Sequence, residues 1–318
     1  MSPDAAPPVG DLIGVKDYLE QGLIGHGVLV ERLLIGLLAG GHVLVEGAPG
    51  LAKTRAVRWL ARAVDGSFAR IQCTPDLLPS DVTGTPVFRP DRGGFEFVRG
   101  PVFHNLVLVD EINRAPPKVQ SALLEAMAEA QVTSGGETRA LPDPFMVVAT
   151  QNPIEHEGTF PLPEAQLDRF LLHVDLALPD AQTERRILDL VESEQDAPPA
   201  APRALSLDAL HAARRAAMAV HLADPLRDYI VRLVMATRAE AMQSEIEHAV
   251  SPRGSLALAA AAKARAFLHG RDHALPEDVA EVATDALSHR LSLTWRARAE
   301  GRSPRDVIAD LLGRVDPL

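Results

Sequence analysis

A single cysteine, Cys73, stands in 318 residues, so no disulfide can form within the chain, which suits a reducing compartment, the cytoplasm. Lysine is scarce too, with Lys16, Lys53, Lys118 and Lys263 as the complete set and arginine at the other basic positions. No apolar run can cross a bilayer. The longest, Leu33 to Val45, is interrupted by Gly36, Gly40, Gly41 and His42 and falls short of the roughly 20 residues a span requires. Met1 to Gly10 lacks a basic start followed by an apolar run, so no secretory signal is expected. Positive charge is in deficit, 32 Lys+Arg against 43 Asp+Glu for a net −11. This argues against non-specific attachment to nucleic-acid backbone, while leaving room for a small basic pore. The eleven histidines contain no H-E-x-x-H spacing, so a structural metal site is not expected. What remains is ordinary for a folded chain: 47% hydrophobic and 24% charged residues, enough for one large or two modest domains, which excludes disorder as the main state.

The first half alternates short apolar runs with amphipathic segments. His42–Glu46, Ala69–Cys73, Leu106–Val109, Phe145–Thr150 and Leu171–Val174 read as strands, several almost continuously apolar as in a parallel sheet covered on both faces. Lys53–Val64 and Pro117–Gln131 read as helices between them, giving an α/β core. Two hairpins interrupt the alternation: Pro86–Phe88 with Phe95–Phe97 around Arg92-Gly93-Gly94, and Val132-Thr133 with Thr138–Ala140 around Ser134-Gly135-Gly136. After Pro179 no further strand is expected. Residues 194–205, proline-rich, read as a linker, and helices are expected at Ala181–Ser193, Ser206–Val220, Pro225–Arg238, Ser255–His269, Pro276–Leu287 and Pro304–Val315. The expected division is therefore 1–180, an α/β core, and 181–318, an all-helical domain.

Gly47-Ala48-Pro49-Gly50-Leu51-Ala52-Lys53-Thr54 follows a strand and opens a helix, the setting of a phosphate-binding loop. Small residues let backbone N–H groups converge on phosphate oxygens, and the helix N-terminus adds partial positive charge. Lys53 would place an ammonium on the outer phosphates, and Thr54 would offer a hydroxyl to Mg²⁺. Ala52 stands where a second glycine is usual, and it fits if its φ is negative. Downstream, Leu106–Val109 ends in Asp110-Glu111. Asp110 would hold the metal and Glu111 would polarise the attacking water. A third apolar strand ends in Thr150-Gln151-Asn152-Pro153, where Asn152 can hydrogen-bond water or the terminal phosphate without adding charge.

These residues resemble the AAA+ ATPases and, more narrowly, the MoxR family. The resemblance rests on Gly41-His42, the loop ending Ala52-Lys53-Thr54, residues 70–84 (RIQCTPDLLPSDVTG), Gly100–Phe103, residues 110–117 (DEINRAPP), residues 162–170 (LPEAQLDRF) and Ser251-Pro252-Arg253. It is dense from about Leu23 to Val174, and Ala52 is usual for the family. It implies a core of strand order 5-1-4-3-2 with a helical lid, the two hairpins being the family's insertions. It also implies ATP with Mg²⁺, an adenine contact at Ile24-Gly25, and a ring of copies of the chain, a hexamer. Arg169 matches the family's arginine finger, which reaches the nucleotide of a neighbouring subunit, with Arg114 as rival. Arg253 matches the second sensor. The resemblance further implies chaperone-like remodelling of client proteins, often beside a von Willebrand factor A domain partner. Other classes remain open: a nucleic-acid motor, for which neither a zinc finger nor a helix-turn-helix is evident; a metal-chelatase motor subunit; and a nucleotide-gated binding module, against which the acid pair and Asn152 argue.

Overall fold

The computed structural model of the protein describes residues 9–153, 158–196 and 204–317. In chain order it runs α1 (Val9–Gly22), α2 (Gly27–Ala39), β1 (Val43–Gly47), α3 (Lys53–Ala63), β2 (Phe68–Gln72), α4 (Pro79–Thr83), β3 (Gly84–Arg89), β4 (Gly94–Arg99), β5 (Leu106–Asp110), α5 (Pro117–Glu129), β6 (Gln131–Ser134), β7 (Glu137–Ala140), β8 (Met146–Gln151), α6 (Glu164–Leu167) and β9 (Leu172–Leu176). The second half holds α7 (Ala181–Asp196), α8 (Leu207–Ala219), α9 (Asp224–Ala236), β10 (Ile246–His248), α10 (Pro252–Leu268), α11 (Pro276–Leu287), β11 (Ser292–Leu293), α12 (Trp295–Ala299) and α13 (Pro304–Arg314).

Five parallel strands form the main sheet in the order β2-β5-β8-β1-β9. Counted along the chain as strands one to five, this is the expected order 5-1-4-3-2. The central strands β5 and β8 are apolar because helices cover both their faces; Leu106–Asp110 is buried throughout. Edge strand β2 carries polar residues because only Ile71 of its five is buried. Both hairpins form where their glycine turns place them, β3 against β4 and β6 against β7.

Three features depart from the sequence reading. Helices α1 and α2 were not expected. In α2, Leu29, Val30, Leu33, Leu34, Ile35, Leu37 and Leu38 are each at most 1% exposed, so apolar residues occupy nearly its whole circumference and leave no helical stripe to detect. Each such side chain contributes about 1.5–3 kcal/mol of burial free energy. The helical half also contains an antiparallel pair, β10 with β11, where only helices were expected. The two strands are three and two residues long, too short for a hydrophobic alternation to register. The linker-like stretch 194–205 is ordered at both described ends, because α7 continues to Asp196 and Leu205 bridges Val64 beside the core; residues 197–203 lie outside the described residues.

The helical half is fastened to α2 by paired buried charges. Arg32, 3% exposed, donates from Nε to Asp285 of α11 at 2.8 Å, and Arg305 donates to the same carboxylate at 2.6 Å. Asp278, fully buried at the start of α11, accepts from Arg265 at 2.7 Å and from Arg271, and its Oδ2 caps Leu275 N–H at 2.8 Å. An unpaired buried charge costs several kcal/mol, so the Arg32–Asp285 pair seats the lid on α2, while the Asp278 pairings, all within the helical half, hold α11 against α10.

Candidate nucleotide site

The loop Gly47–Thr54 leaves the carboxyl end of β1 and opens α3. Its backbone requirement differs from the expectation at one position. Ala52 has φ +54°, in the left-handed region, not a negative φ. A Cβ there costs roughly 1–2 kcal/mol, so the loop carries local strain at the residue before its lysine. Lys53 Nζ donates to the carbonyl oxygens of Gly47 and, at 3.1 Å, of Gln151. Its ammonium is therefore held between the loop and the end of β8, beside Asn152.

Register explains the rest of the assembly. Val45 pairs with Thr150 and Val109 with Ala149, so the ends of β1, β5 and β8 converge. Asp110, 7% exposed, sits at the centre. Its Oδ1 accepts from Thr150 Oγ1 at 2.7 Å; its Oδ2 accepts from Thr54 Oγ1 at 3.0 Å and from Arg70 Nη2 and Nε at 2.7 and 3.1 Å. Burial pushes this carboxyl's pKa up, but the hydrogen bonds from Thr150, Arg70 and Thr54 and the charge of Arg70 outweigh it and hold the pKa below its usual value. Asp110 is thus a carboxylate at neutral pH, and with the Thr54 hydroxyl it supplies hard oxygen donors of the kind Mg²⁺ takes. Glu111 also lies in the left-handed region, at φ +58°, pinned by its N–H to Thr150 Oγ1 at 2.9 Å. Its Oε2 accepts from Arg114 Nη1 at 3.0 Å and Gln72 Nε2 at 3.2 Å. Asn152 is buried just past β8, and its carbonyl accepts from Asn113 Nδ2 at 3.3 Å.

An apolar cleft of about 550 Å³ adjoins the loop. Leu23, Ile24 and His26 form one wall, Pro49–Ala52 the floor, and Leu178, Pro179, Ile187, Leu188 and Val191 the other wall. Its mostly apolar lining beside a phosphate loop suits a purine ring. Gly25 does not line the cleft; it turns the chain at φ +80°, and a Cβ on it would stand 2.3 Å from Thr183 Cγ2 at the start of α7. Only glycine lets the two walls meet there.

Arg169 and Arg253 are elsewhere. Val43 pairs with Leu172 and Gly47 with Leu176, so Arg169 precedes the amino end of β9 while Lys53 follows the carboxyl end of β1. The five-residue strand separates them by about 13 Å along its axis alone. Arg169 Nη1 donates to Leu124 O of α5 at 2.7 Å, and Arg253 Nη1 contacts Asp168 Oδ2 at 3.4 Å. Both arginines lie on a face remote from this chain's own loop. Arg114, the rival, is engaged with Glu111 of its own chain.

Sequence reading passed over three contributors, two of them on one strand. Arg70 and Gln72 alternate along β2 toward Asp110 and Glu111, and their charge and polarity inside a strand were the available signal. Arg290 is the third: it pairs with Asp168 Oδ1 at 3.0 Å and donates to Phe170 O at 2.6 Å, fastening the segment that carries Arg169. Burial lowers its pKa to about 10, which leaves it charged at neutral pH. His42 is a core residue, with Nδ1 accepting from Val147 N–H at 3.0 Å and Nε2 3.1 Å from Met127 O; burial lowers its pKa to about 4. His269 and His273 are four residues apart, but they pair with Glu31 and Asp272 respectively, and no group of three metal-binding side chains occurs among the described residues.

A parallel core with a phosphate loop, an acid pair and a helical lid defines an AAA ATPase. The profile of the ATPase family associated with various cellular activities (AAA) matches residues 42–172, and that of the AAA lid domain matches residues 238–311. Chaperone MoxR1 of Mycobacterium tuberculosis is 48% identical over 299 residues, covering 92% of this chain and 78% of that protein. YeaC of Bacillus subtilis, an uncharacterised protein, is 42% identical over 312 residues, covering 98% and 95%. The crystal structure of a candidate ATPase from Cytophaga hutchinsonii superimposes with a TM-score of 0.89 at 44% identity, covering 97% of this chain and 95% of that one. The chain belongs to the MoxR family of AAA+ ATPases. Among the described residues, no helix is long and apolar enough to cross a membrane.

Proposed function

We propose that the protein hydrolyses ATP with Mg²⁺ as a ring, a hexamer, in the cytoplasm, and uses the cycle to remodel or mature client proteins together with a von Willebrand factor A domain partner. The chaperone role comes from the MoxR1 relative. The observation that carries the ring reading is the separation of Arg169 from this chain's own Lys53 by the length of the β1–β9 pairing, with Arg253 beside Asp168 at the same end. The reaction needs a cation near the terminal phosphate to offset developing charge. A second copy brings Arg169 there, with Arg253 beside it.

In this reading the cleft between Ile24 and Leu188 holds the base, and the N–H groups of the loop and Lys53 hold the phosphates. Thr54 and Asp110 hold Mg²⁺, which neutralises phosphate charge when bound. Glu111 takes a proton from the attacking water, and Asn152 orients that water. Thr150 serves both acids, accepting from Glu111 N–H and donating to Asp110, so their relative placement is set before nucleotide arrives. Hydrolysis then removes the phosphate that bridges two protomers, which loosens their contact and drives the client.

The test is Glu111→Gln. It is expected to bind ATP, assemble into the ring, retain client and partner, and lose turnover. Wild-type specific activity should rise with protein concentration. A rate independent of concentration, or full turnover by the Gln variant, contradicts the reading.

A further inference from the structure

We propose that Arg70 is a resident counter-cation for Asp110 that Mg²⁺ must displace, so that it sets the metal threshold of nucleotide binding. The inference rests on the nucleotide reading above. Every oxygen of Asp110 is committed: Oδ1 to Thr150, Oδ2 to Thr54 and twice to Arg70. Oδ2 is the oxygen that Thr54 shares, and therefore the one a metal held by both must reach. The guanidinium occupies that approach, and two cations cannot share one carboxylate oxygen without strong repulsion.

Arg70 is built to leave. Its side chain is 38% exposed, whereas that of Asp110 is 9% exposed. A second acceptor, Gln72 Oε1, already holds Nη2 at 2.6 Å on the solvent side. The guanidinium can therefore swing outward while keeping one bond. In the empty site it does a separate job: it compensates a buried carboxylate that would otherwise be unpaired. One residue thus trades a stable empty site against ready metal entry.

The experiment measures ADP affinity by calorimetry in wild type, Arg70→Gln and Arg70→Lys, each in EDTA and in saturating Mg²⁺, and repeats it with Mn²⁺ read by electron paramagnetic resonance. Losing a charge-assisted bidentate contact corresponds to about tenfold or more in an equilibrium. The ratio of metal-bound to metal-free ADP affinity is therefore expected to rise about tenfold in Arg70→Gln, with half-saturating Mn²⁺ falling by the same factor. Arg70→Lys, which keeps the charge but loses the fork, should show a smaller rise. Melting in EDTA should drop for Arg70→Gln and recover with Mn²⁺ and ADP. An unchanged or reduced ratio in both variants would overturn the role of Arg70, while leaving the nucleotide site intact. Wild type that binds no ADP with Mg²⁺ would overturn both.

Discussion

Replacing Gly25 by alanine isolates how the chain brings the two walls of the nucleotide cleft together. Its φ of +80° and the 2.3 Å approach to Thr183 Cγ2 act separately. A Cβ in the left-handed region costs about 1–2 kcal/mol, partly offset by about 0.4–1 kcal/mol from a stiffer unfolded chain, leaving a net of about 1 kcal/mol. Overpacking against Thr183 adds about 1–3 kcal/mol. Gly25→Ala should therefore lose about 2–4 kcal/mol in urea denaturation. It should also weaken ADP binding about tenfold, because the Leu23–His26 wall and α7 are wedged apart. Thr183→Ser removes the offending methyl, keeps the hydroxyl and keeps the N–H bond to Asp180 Oδ1 at 2.8 Å. In the double variant the steric part should return and about 1 kcal/mol of loss should remain. A double-mutant cycle with no coupling between the two positions would refute this account of the turn.

Three further substitutions test the loop strain and the packing within the lid. Ala52→Gly removes the left-handed Cβ penalty and adds backbone entropy to the unfolded chain, so stability should change by no more than about +1 kcal/mol; Ala52→Val should lose stability and ADP affinity together, and an inert Val variant would contradict the +54° backbone. For Asp278, burial raises the pKa, but bonds from Arg271, Leu275 and Arg265 outweigh that and hold it below the usual 3.8. Its stabilisation is then present above pH 3.8 and lost as pH falls through 3.8 and below. Asp278→Asn should cost about 3 kcal/mol at pH 7, and the gap from wild type should close over that acid window; a gap independent of pH would show that Asp278 is not the titrating group.

Legibility followed locality. The phosphate loop, the Asp110-Glu111 pair and the five strands each declare themselves within a few residues, through small residues before a lysine or apolar runs capped by acids. Helix α2 did not, because burial on all sides erases amphipathic periodicity, and β10–β11 did not, because two or three residues carry no pattern. The φ of Ala52, +54°, could not be read from its small side chain, because the loop geometry dictates it. The partners of Arg32 and Arg290 lie 253 and 122 positions away, at Asp285 and Asp168, and no local pattern announces such a pairing. Arg70 was visible in the RIQCTP segment, but its contact with Asp110 depends on strand order.

The central claim is that each site is completed by another copy. Glu111→Gln has an intact Arg169 and a disabled acid; Arg169→Ala has intact acids and no finger. Each alone should hydrolyse ATP at least about 10³-fold more slowly than wild type. Mixed in equal amounts with Mg²⁺ and ATP, they should recover a substantial fraction of wild-type rate, since half of the mixed boundaries pair an intact site with an intact arginine. A mixture no more active than its components, or an Arg169→Ala variant with undiminished turnover, would contradict the account.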